Sequence, residues 1–157
     1  MLKVLKHMIV LMLPVTAPAQ SPAFSFAGIT LDSELNQVAR RYVHSSRTGE
    51  YIYVAPEDSH DHISAIEISG AGALRRVRIS FEFRRRGQPP DFPHCAKVQT
   101  KLDQRFGPPS SIRRFTEEAS RRMDRAWRSP TQELTLICFG GPGGRWLAEA
   151  VQINRLK

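Results

Sequence analysis

The segment from Leu74 to Phe83 alternates apolar and polar side chains more regularly than any other part of the chain. The apolar positions share one face and the polar positions share the other, namely Val77, Ile79, Phe81 and Phe83 against Arg76, Arg78, Ser80 and Glu82. Successive side chains of a strand point to opposite faces, so one face of this strand is buried and the other is solvated. Antiparallel sheets commonly leave one face open, whereas parallel sheets are covered on both. The pattern therefore predicts an antiparallel sheet that is covered on one side only.

Several other segments are rich in β-branched and aromatic residues and are bounded by turn residues. They predict further strands at 51–54, 62–69, 112–116, 123–127, 133–139 and 145–153. Glycine, proline and serine clusters predict turns at 70–72, 129–132 and 140–144. The polar stretches 43–50 and 84–93 read as connections without regular structure.

Two segments carry apolar residues at helical spacing instead. Helix A is predicted from Leu31, Leu35, Val38 and Tyr42, with Asp32 or Ser33 as its N-cap. Helix B is predicted from Cys95, Val98, Leu102 and Phe106, and Gly107 followed by two prolines ends it.

The elements then follow the order helix, strands, helix, strands. This order predicts an α+β fold, an antiparallel sheet with two helices packed on one face, as a single domain over residues 20–157. A weak internal echo suggests half-repeats over 24–83 and 94–154. Residues 38–42 resemble residues 102–106, and each stretch is followed by a Ser-Ser pair, at 45–46 and at 110–111.

The first 19 residues have the parts of a secretory signal peptide. Lys3 and Lys6 form a basic start, residues 8–15 form a short apolar core, and Ala17-Pro18-Ala19 places small residues at a cleavage site. We expect cleavage after Ala19, export to the periplasm or the medium, and no transmembrane segment in what remains. No apolar run reaches the roughly 18–20 residues that a membrane-spanning helix needs.

The charge of the chain is strongly basic and is carried by arginine. The formal net charge is +8, and removal of residues 1–19 would leave 21 basic and 15 acidic residues. Arg76, Arg78 and Arg84 lie on the solvated side of the predicted strand, and Arg122 and Arg128 extend the same surface. Arginine pairs well with carboxylate and phosphate, so this face can suit an acidic protein or another anionic partner. Export argues against nucleic acid as a partner.

The chain contains two cysteines, Cys95 and Cys138. In an oxidising compartment an even pair predicts a disulfide. This bridge would join helix B to the middle strand of the last three. The alternatives are a catalytic thiol or a metal ligand, with His94 beside Cys95.

Small exported proteins with tandem helix-then-meander units offer a resemblance. Residues 28–31 leading into helix A and residues 102–108 ending helix B are similar to the β-lactamase-inhibitor-protein type and to the outer-membrane assembly lipoproteins of the SmpA/OmlA type. The lipid-attachment cysteine of the lipoproteins is missing here, and helix A lacks their glycine-proline stop. The resemblance implies a protein-binding role and transfers no catalytic residue.

Candidate chemistry elsewhere in the chain is sparse. His60 and His62 would share a face if their segment is extended, and Asp58 or Asp61 could add an oxygen ligand, so they are weak metal candidates. No serine-nucleophile elbow or phosphate loop is present, and no motif predicts a cofactor.

The sequence therefore favours an exported, non-catalytic binding module of the cell envelope that acts on another protein, acidic in character. The alternatives are a polyanion binder that uses the Arg76, Arg78 and Arg84 face, or a metal-dependent hydrolase that uses His60 and His62.

Overall fold

The computed structural model describes residues 23–82, 91–117 and 120–157. An N-terminal hairpin and a short helix come first, followed by two groups of four strands with a longer helix between them. In chain order the elements are β1 Ser25–Phe26, β2 Ile29–Thr30, α1 Leu35–Ala39, β3 Ser46–Thr48, β4 Tyr51–Tyr53, β5 Ile63–Ser69, β6 Arg76–Phe81, α2 Cys95–Phe106, β7 Ser111–Glu117, β8 Ser120–Arg128, β9 Gln132–Gly140 and β10 Trp146–Arg155.

Strands β3 to β10 form one sheet in the order β3-β4-β5-β6-β10-β9-β8-β7, and every neighbouring pair is antiparallel. We call α1 with β3 to β6 the N-terminal half, and α2 with β7 to β10 the C-terminal half. Each half is a four-strand meander, and the two meet where β6 pairs with β10. The predicted antiparallel sheet with two helices is thus present, although strands dominate the structure.

One face of the sheet carries the core. A row of fully buried aliphatic side chains crosses five neighbouring strands, and its members are Ile52, Ile66, Ile79, Val151 and Leu136. Burying a side chain of this size contributes about 2 kcal/mol, so the row is a large part of what holds the strands together. Val38 of α1 and Val98 and Leu102 of α2 belong to the same buried cluster.

The N-terminal hairpin completes the cover over this face. Phe26 meets Phe81 of β6 edge to face with ring centroids 5.6 Å apart, and Phe24 meets Phe106 of α2 at 5.0 Å. The hairpin turn at Ala27 and Gly28 has positive φ at both positions, as a two-residue type I′ turn requires. No strand is predicted here from the sequence pattern, since the segment is short and has little periodicity.

Helix α2 has the bounds that the sequence predicts. Cys95, Val98 and Leu102 are its buried residues, and it ends at Gly107, whose φ of 75° lies in the left-handed region that glycine tolerates. The following prolines cannot continue the helix.

Helix α1 is shorter than predicted, because only five residues are helical. Leu31 is buried but lies in a turn after β2, where the Thr30 amide donates to Ser33 Oγ at 2.9 Å. Glu34 takes the N-cap position in place of Asp32 or Ser33. The apolar residues at helical spacing thus pack into the core, but only those in the middle of the pattern lie in a helix.

The stretch 43–50, predicted to lack regular structure, contains the edge strand β3. All three residues of β3 are exposed, so no apolar alternation marks it in the sequence. The proposed signal peptide, Phe83, Arg84 and most of the predicted connection 84–93 lie outside the described residues.

Candidate protein-binding surface

The face of the sheet opposite the helices, here called the open face, has a centre of small and polar side chains. In register across the middle strands it presents Ala65, Ser80 and Ala150. The neighbouring row presents Glu67, Arg78, Gln152 and Thr135. A row of long side chains therefore lies next to a row of small ones.

Two of the three arginines that the sequence placed on the solvated strand face, Arg76 and Arg78, lie on the open face and contact an acid, whereas Arg84 is outside the described residues. Arg76 donates to Glu67 on β5 at 2.5 Å, and Arg78 donates to Glu149 on β10 at 2.6 Å. Both pairs are partly exposed, so each is worth at most about 1 kcal/mol. Their larger effect is to cancel the charge of the two guanidinium groups.

Arg122 and Arg128 extend this surface across β8 and are paired in the same way. Arg122 makes a two-pronged contact with Asp124 at 2.7 and 2.9 Å, and Arg128 contacts Glu133 on β9 at 2.5 Å. The hydrogen bond from Asp124 raises the pKa of Arg122 above its ordinary value, against a smaller opposing effect of burial. The middle of the open face is therefore close to charge-balanced.

Exposed aromatic side chains stand near both ends of the open face. On β4, Tyr51 and Tyr53 stack with ring centroids 6.1 Å apart, and 40% and 51% of their surfaces are exposed. On β7, Phe115 is 42% exposed and lies 5.9 Å from the guanidinium of Arg122. β4 and β7 are six strand spacings apart, about 29 Å at 4.8 Å per spacing.

These three aromatics were missed as candidate site residues by the sequence reading. The Tyr-Ile-Tyr alternation around buried Ile52 could have identified Tyr51 and Tyr53, because alternate residues of a strand face opposite sides. The two tryptophans, in contrast, belong to the covered side: Trp127 is buried, and Trp146 packs against the core.

The histidine segment does not have the extended conformation on which a shared face would depend. Asp61 and His62 both have positive φ, 57° and 64°, and form part of a turn. The nearby acids are already engaged, since Asp58 accepts from the His44 amide and the Ser45 hydroxyl, and Asp61 pairs with Lys101 at 2.7 Å. Among the described residues, no group of three or more histidine, cysteine, aspartate or glutamate side chains could hold a metal ion.

The two cysteines lie at disulfide distance, as the sequence predicts. Their Sγ atoms are 1.99 Å apart and join the first residue of α2 to β9. Both residues are buried, and Arg125 Nη1 approaches Cys95 Sγ at 2.8 Å. Burial lowers the pKa of Arg125, repulsion from Arg114 lowers it further, and Asp103 opposes both effects. The disulfide thus joins the helix to the sheet in the buried core, where a substrate cannot reach it.

Two surface pockets each share one arginine with the open face, Arg128 in the first and Arg76 in the second. One, of about 300 Å³, is at the C-terminal end of α2 and is lined by Phe24, Phe106 and Trp127 together with arginines and small residues. The other, of about 410 Å³, lies between the β5–β6 turn and the end of β10. Neither lining contains a histidine, cysteine or carboxylate. These two pockets therefore lack the imidazole, thiol and carboxylate side chains that often act in catalysis.

Comparison with known proteins finds no matching family, no matching characterised sequence and no matching solved structure. In the described part of the chain, none of the helices is both long enough and apolar enough to cross a membrane.

Proposed function

We propose that this protein is an exported, non-catalytic binding module of the cell envelope, and that its open face contacts another protein. The observation that carries the proposal is the placement of exposed aromatic side chains at both ends of a charge-balanced sheet face. Tyrosine and arginine are enriched in protein interfaces, and tyrosine often contributes a large part of the binding energy. Tyr51, Tyr53 and Phe115 with Arg122 supply those groups here.

The ion pairs favour a protein partner over a polyanion. A polyanion binder needs cations that are available to the ligand, whereas Arg76 and Arg78 each already contact a carboxylate. Polyanion binding through Arg76, Arg78 and Arg84 is the alternative. It predicts that replacing these arginines with serine abolishes retention on an anionic matrix.

Two features support export. Residues 1–19 have the composition of a signal peptide, and paired cysteines at bonding distance are typical of proteins in oxidising compartments. Localisation in the periplasm or the medium is therefore part of the proposal, as is the absence of enzymatic activity.

A duplicated helix-and-meander unit is also proposed, along the lines of the tandem proteins that the sequence resembles. The same order of elements occurs twice, and Ser46 and Ser111 of the Ser-Ser pairs are the first residues of β3 and β7. In each half a short 3₁₀ turn joins the last two strands, at Gly72–Leu74 and at Pro142–Gly144. These equivalences support a common origin of the halves.

Site-specific photo-crosslinking tests the binding proposal. A photoreactive amino acid replaces Tyr53 on the open face, in full-length protein expressed in its native host, and adducts are sought in the envelope and external fractions. We expect one discrete adduct that disappears when Tyr51→Ser is added, since stacking with Tyr51 holds the position 53 ring in place.

The matched control carries the same photoreactive group at Val43, which is 79% exposed but lies outside the sheet. Equal labelling from positions 43 and 53, or no adduct from position 53 in any fraction, would overturn the proposal that the open face binds a protein.

A further inference from the structure

The two outer strands of the sheet differ in length and in exposed side chains. At one edge, β3 has three residues, Ser46, Arg47 and Thr48. At the other edge, β7 has seven residues, and in the described part of the chain no strand pairs with its outer side. Seven residues of strand span about 23 Å. Every second N–H and C=O along that length points away from β8 and can bond to an added strand.

The side chains of β7 give this edge an apolar and basic character. Ile112 is 52% exposed on the helix side, and Phe115 is 42% exposed on the open face. Arg113 and Arg114 lie between them and point to opposite sides of the sheet, because they are consecutive in the strand. An added strand would therefore meet one arginine on each of its faces.

Arg113 and Arg114 differ from the arginines of the open face in their charge environment. Arg76, Arg78, Arg122 and Arg128 each contact an acid. Within the described residues, no ion pair or hydrogen bond engages the guanidinium of Arg113 or Arg114. Arg114 in fact repels Arg125, whose pKa it lowers. Arg113 lies opposite Asp124 of β8 in register, but both oxygens of that carboxylate bind Arg122, so among the described residues neither guanidinium of this edge has a carboxylate contact.

A second copy of this chain fits the edge poorly. Antiparallel pairing of β7 with itself about its centre would set Arg114 opposite Arg114. Like charges directly opposite each other destabilise a strand pair. The same arginines that discourage self-pairing would attract a strand that carries carboxylates.

We infer that the β7 edge binds an extended acidic segment of a partner protein by strand addition. Backbone hydrogen bonds supply the pairing, Arg113 and Arg114 select carboxylates on the two faces of the added strand, and Ile112 and Phe115 contact its apolar residues. This inference rests on the proposed protein-binding function and specifies the chemistry of the partner.

Fluorescent eight-residue peptides test the inference against the intact protein. The first has two adjacent glutamates at its centre, flanked by alternating valine and threonine. The second has two lysines in their place, and the third is the glutamate peptide with alternate backbone amides methylated. We expect the glutamate peptide to bind at least about tenfold more tightly than the lysine peptide, because two cross-strand charge pairs change from attractive to repulsive. The methylated peptide should lose binding, since the backbone bonds are removed.

The double variant Arg113→Glu with Arg114→Glu should reverse the preference between the two charged peptides, whereas Arg113→Lys with Arg114→Lys should keep it. Arg47→Glu on β3 is the matched control at the opposite edge and should leave binding unchanged. Circular dichroism verifies that each variant is folded, and amide shifts in NMR spectra should move along β7.

The outcomes separate this inference from the proposed function. No binding of the glutamate peptide, or binding that the methylated peptide retains, overturns strand addition at β7, while an adduct from position 53 would still support protein contact at the open face. Peptide binding that fails to change in the Arg113→Glu, Arg114→Glu variant also overturns it.

Discussion

The two halves of the sheet repeat one order of elements but differ in size and in how they are held together. Helix α1 has five residues and α2 has twelve, and β3 and β4 have three residues each where β7 and β8 have seven and nine. The cysteine pair lies entirely within the C-terminal half. The same order of elements can thus form with few or with many backbone hydrogen bonds between strands. Other contacts then hold the helix and the strands of each half together.

In the N-terminal half, aromatic packing and the hydrogen bonds of one arginine hold the elements together. The β1–β2 hairpin places Phe26 against β6, and Arg75 holds the turn before α1 by donating to the carbonyls of Leu31 at 2.9 Å and Ser33 at 2.7 Å. These contacts join distant parts of the chain across a region where helix and strands are short.

In the C-terminal half α2 is held at both ends, by a covalent bond at its start and by a hydrogen bond just beyond its end. Cys95 ties the start of the helix to β9, and Trp127 Nε1 donates to the Gly107 carbonyl just beyond its end at 2.7 Å. Because α2 covers β9 and β10, holding it down also protects the longest strands. The stability of the second half therefore depends on the disulfide between helix and sheet, as the stability of the first depends on its hairpin.

The largest effect should follow from removing that bridge. In the double variant Cys95→Ala, Cys138→Ala, we expect the free energy of unfolding to fall by about 4 kcal/mol, because the bond closes a loop with a sequence separation of 43. Urea denaturation gives the value. Hydrogen exchange should show that amide protection falls more in α2 than in β5 and β6.

Equal loss of protection in both halves would contradict the idea that the bridge serves the C-terminal half in particular. Cys95→Ser with Cys138→Ser, which also lacks the bond, is the control for the choice of replacement.

A smaller effect should distinguish the two equivalent turns. A methyl group at Gly70 would lie 2.3 Å from the Leu74 carbonyl oxygen, and the φ of +73° disfavours any side chain. At Gly140 the nearest atom, at 2.9 Å, is Nε of the flexible Arg121 side chain. We expect Gly70→Ala to cost about 2 kcal/mol of stability and Gly140→Ala less than about 1 kcal/mol. Thermal unfolding of both variants measures the difference, and equal losses would show that the turns are constrained alike.

The smallest effects should follow from removing the side-chain hydrogen bonds of Arg75 or of Trp127. Arg75→Met removes the bonds to the turn before α1, and Trp127→Phe removes the bond to Gly107 while keeping most of the ring buried. We expect each variant to lose about 1.5 kcal/mol, because a typical hydrogen bond contributes about 1 kcal/mol and some packing is lost as well. The effects should be additive in the double variant, since the two side chains share no hydrogen-bond partner in the described structure. A strongly non-additive result would instead indicate that the halves are coupled through the core.

Features with a strong local signal were predictable from the sequence. Helix α2 and strand β6 each bury one face at regular spacing, and the elements that pack against that face need only be apolar. The cysteine pair followed from number and compartment, and its position under α2 agreed with the helical spacing of Cys95. Edge strand β3 and the N-terminal hairpin were missed because short, exposed or glycine-containing segments have little periodicity.

The candidate site was only half predictable. That Arg76 and Arg78 face solvent follows from the period of two within β6. Their partners, Glu67 and Glu149, are 9 and 71 residues away in sequence, and only the strand register brings them into contact. The same register places Arg113 opposite Asp124, but that carboxylate binds Arg122, so within the described residues neither Arg113 nor Arg114 contacts an acid.

The sequence by itself therefore determined a one-sided antiparallel sheet, the longer helix, the cysteine pair and the basic character of the chain. Each of these depends on periodicity or composition, which are local properties. Among the described residues, the tertiary structure alone decided which arginines contact an acid and which do not, which aromatics reach the surface, and which of the two edge strands is the longer. Those properties depend on distant residues meeting across strands, because charge and exposure at one position are set by neighbours that the chain brings there only on folding.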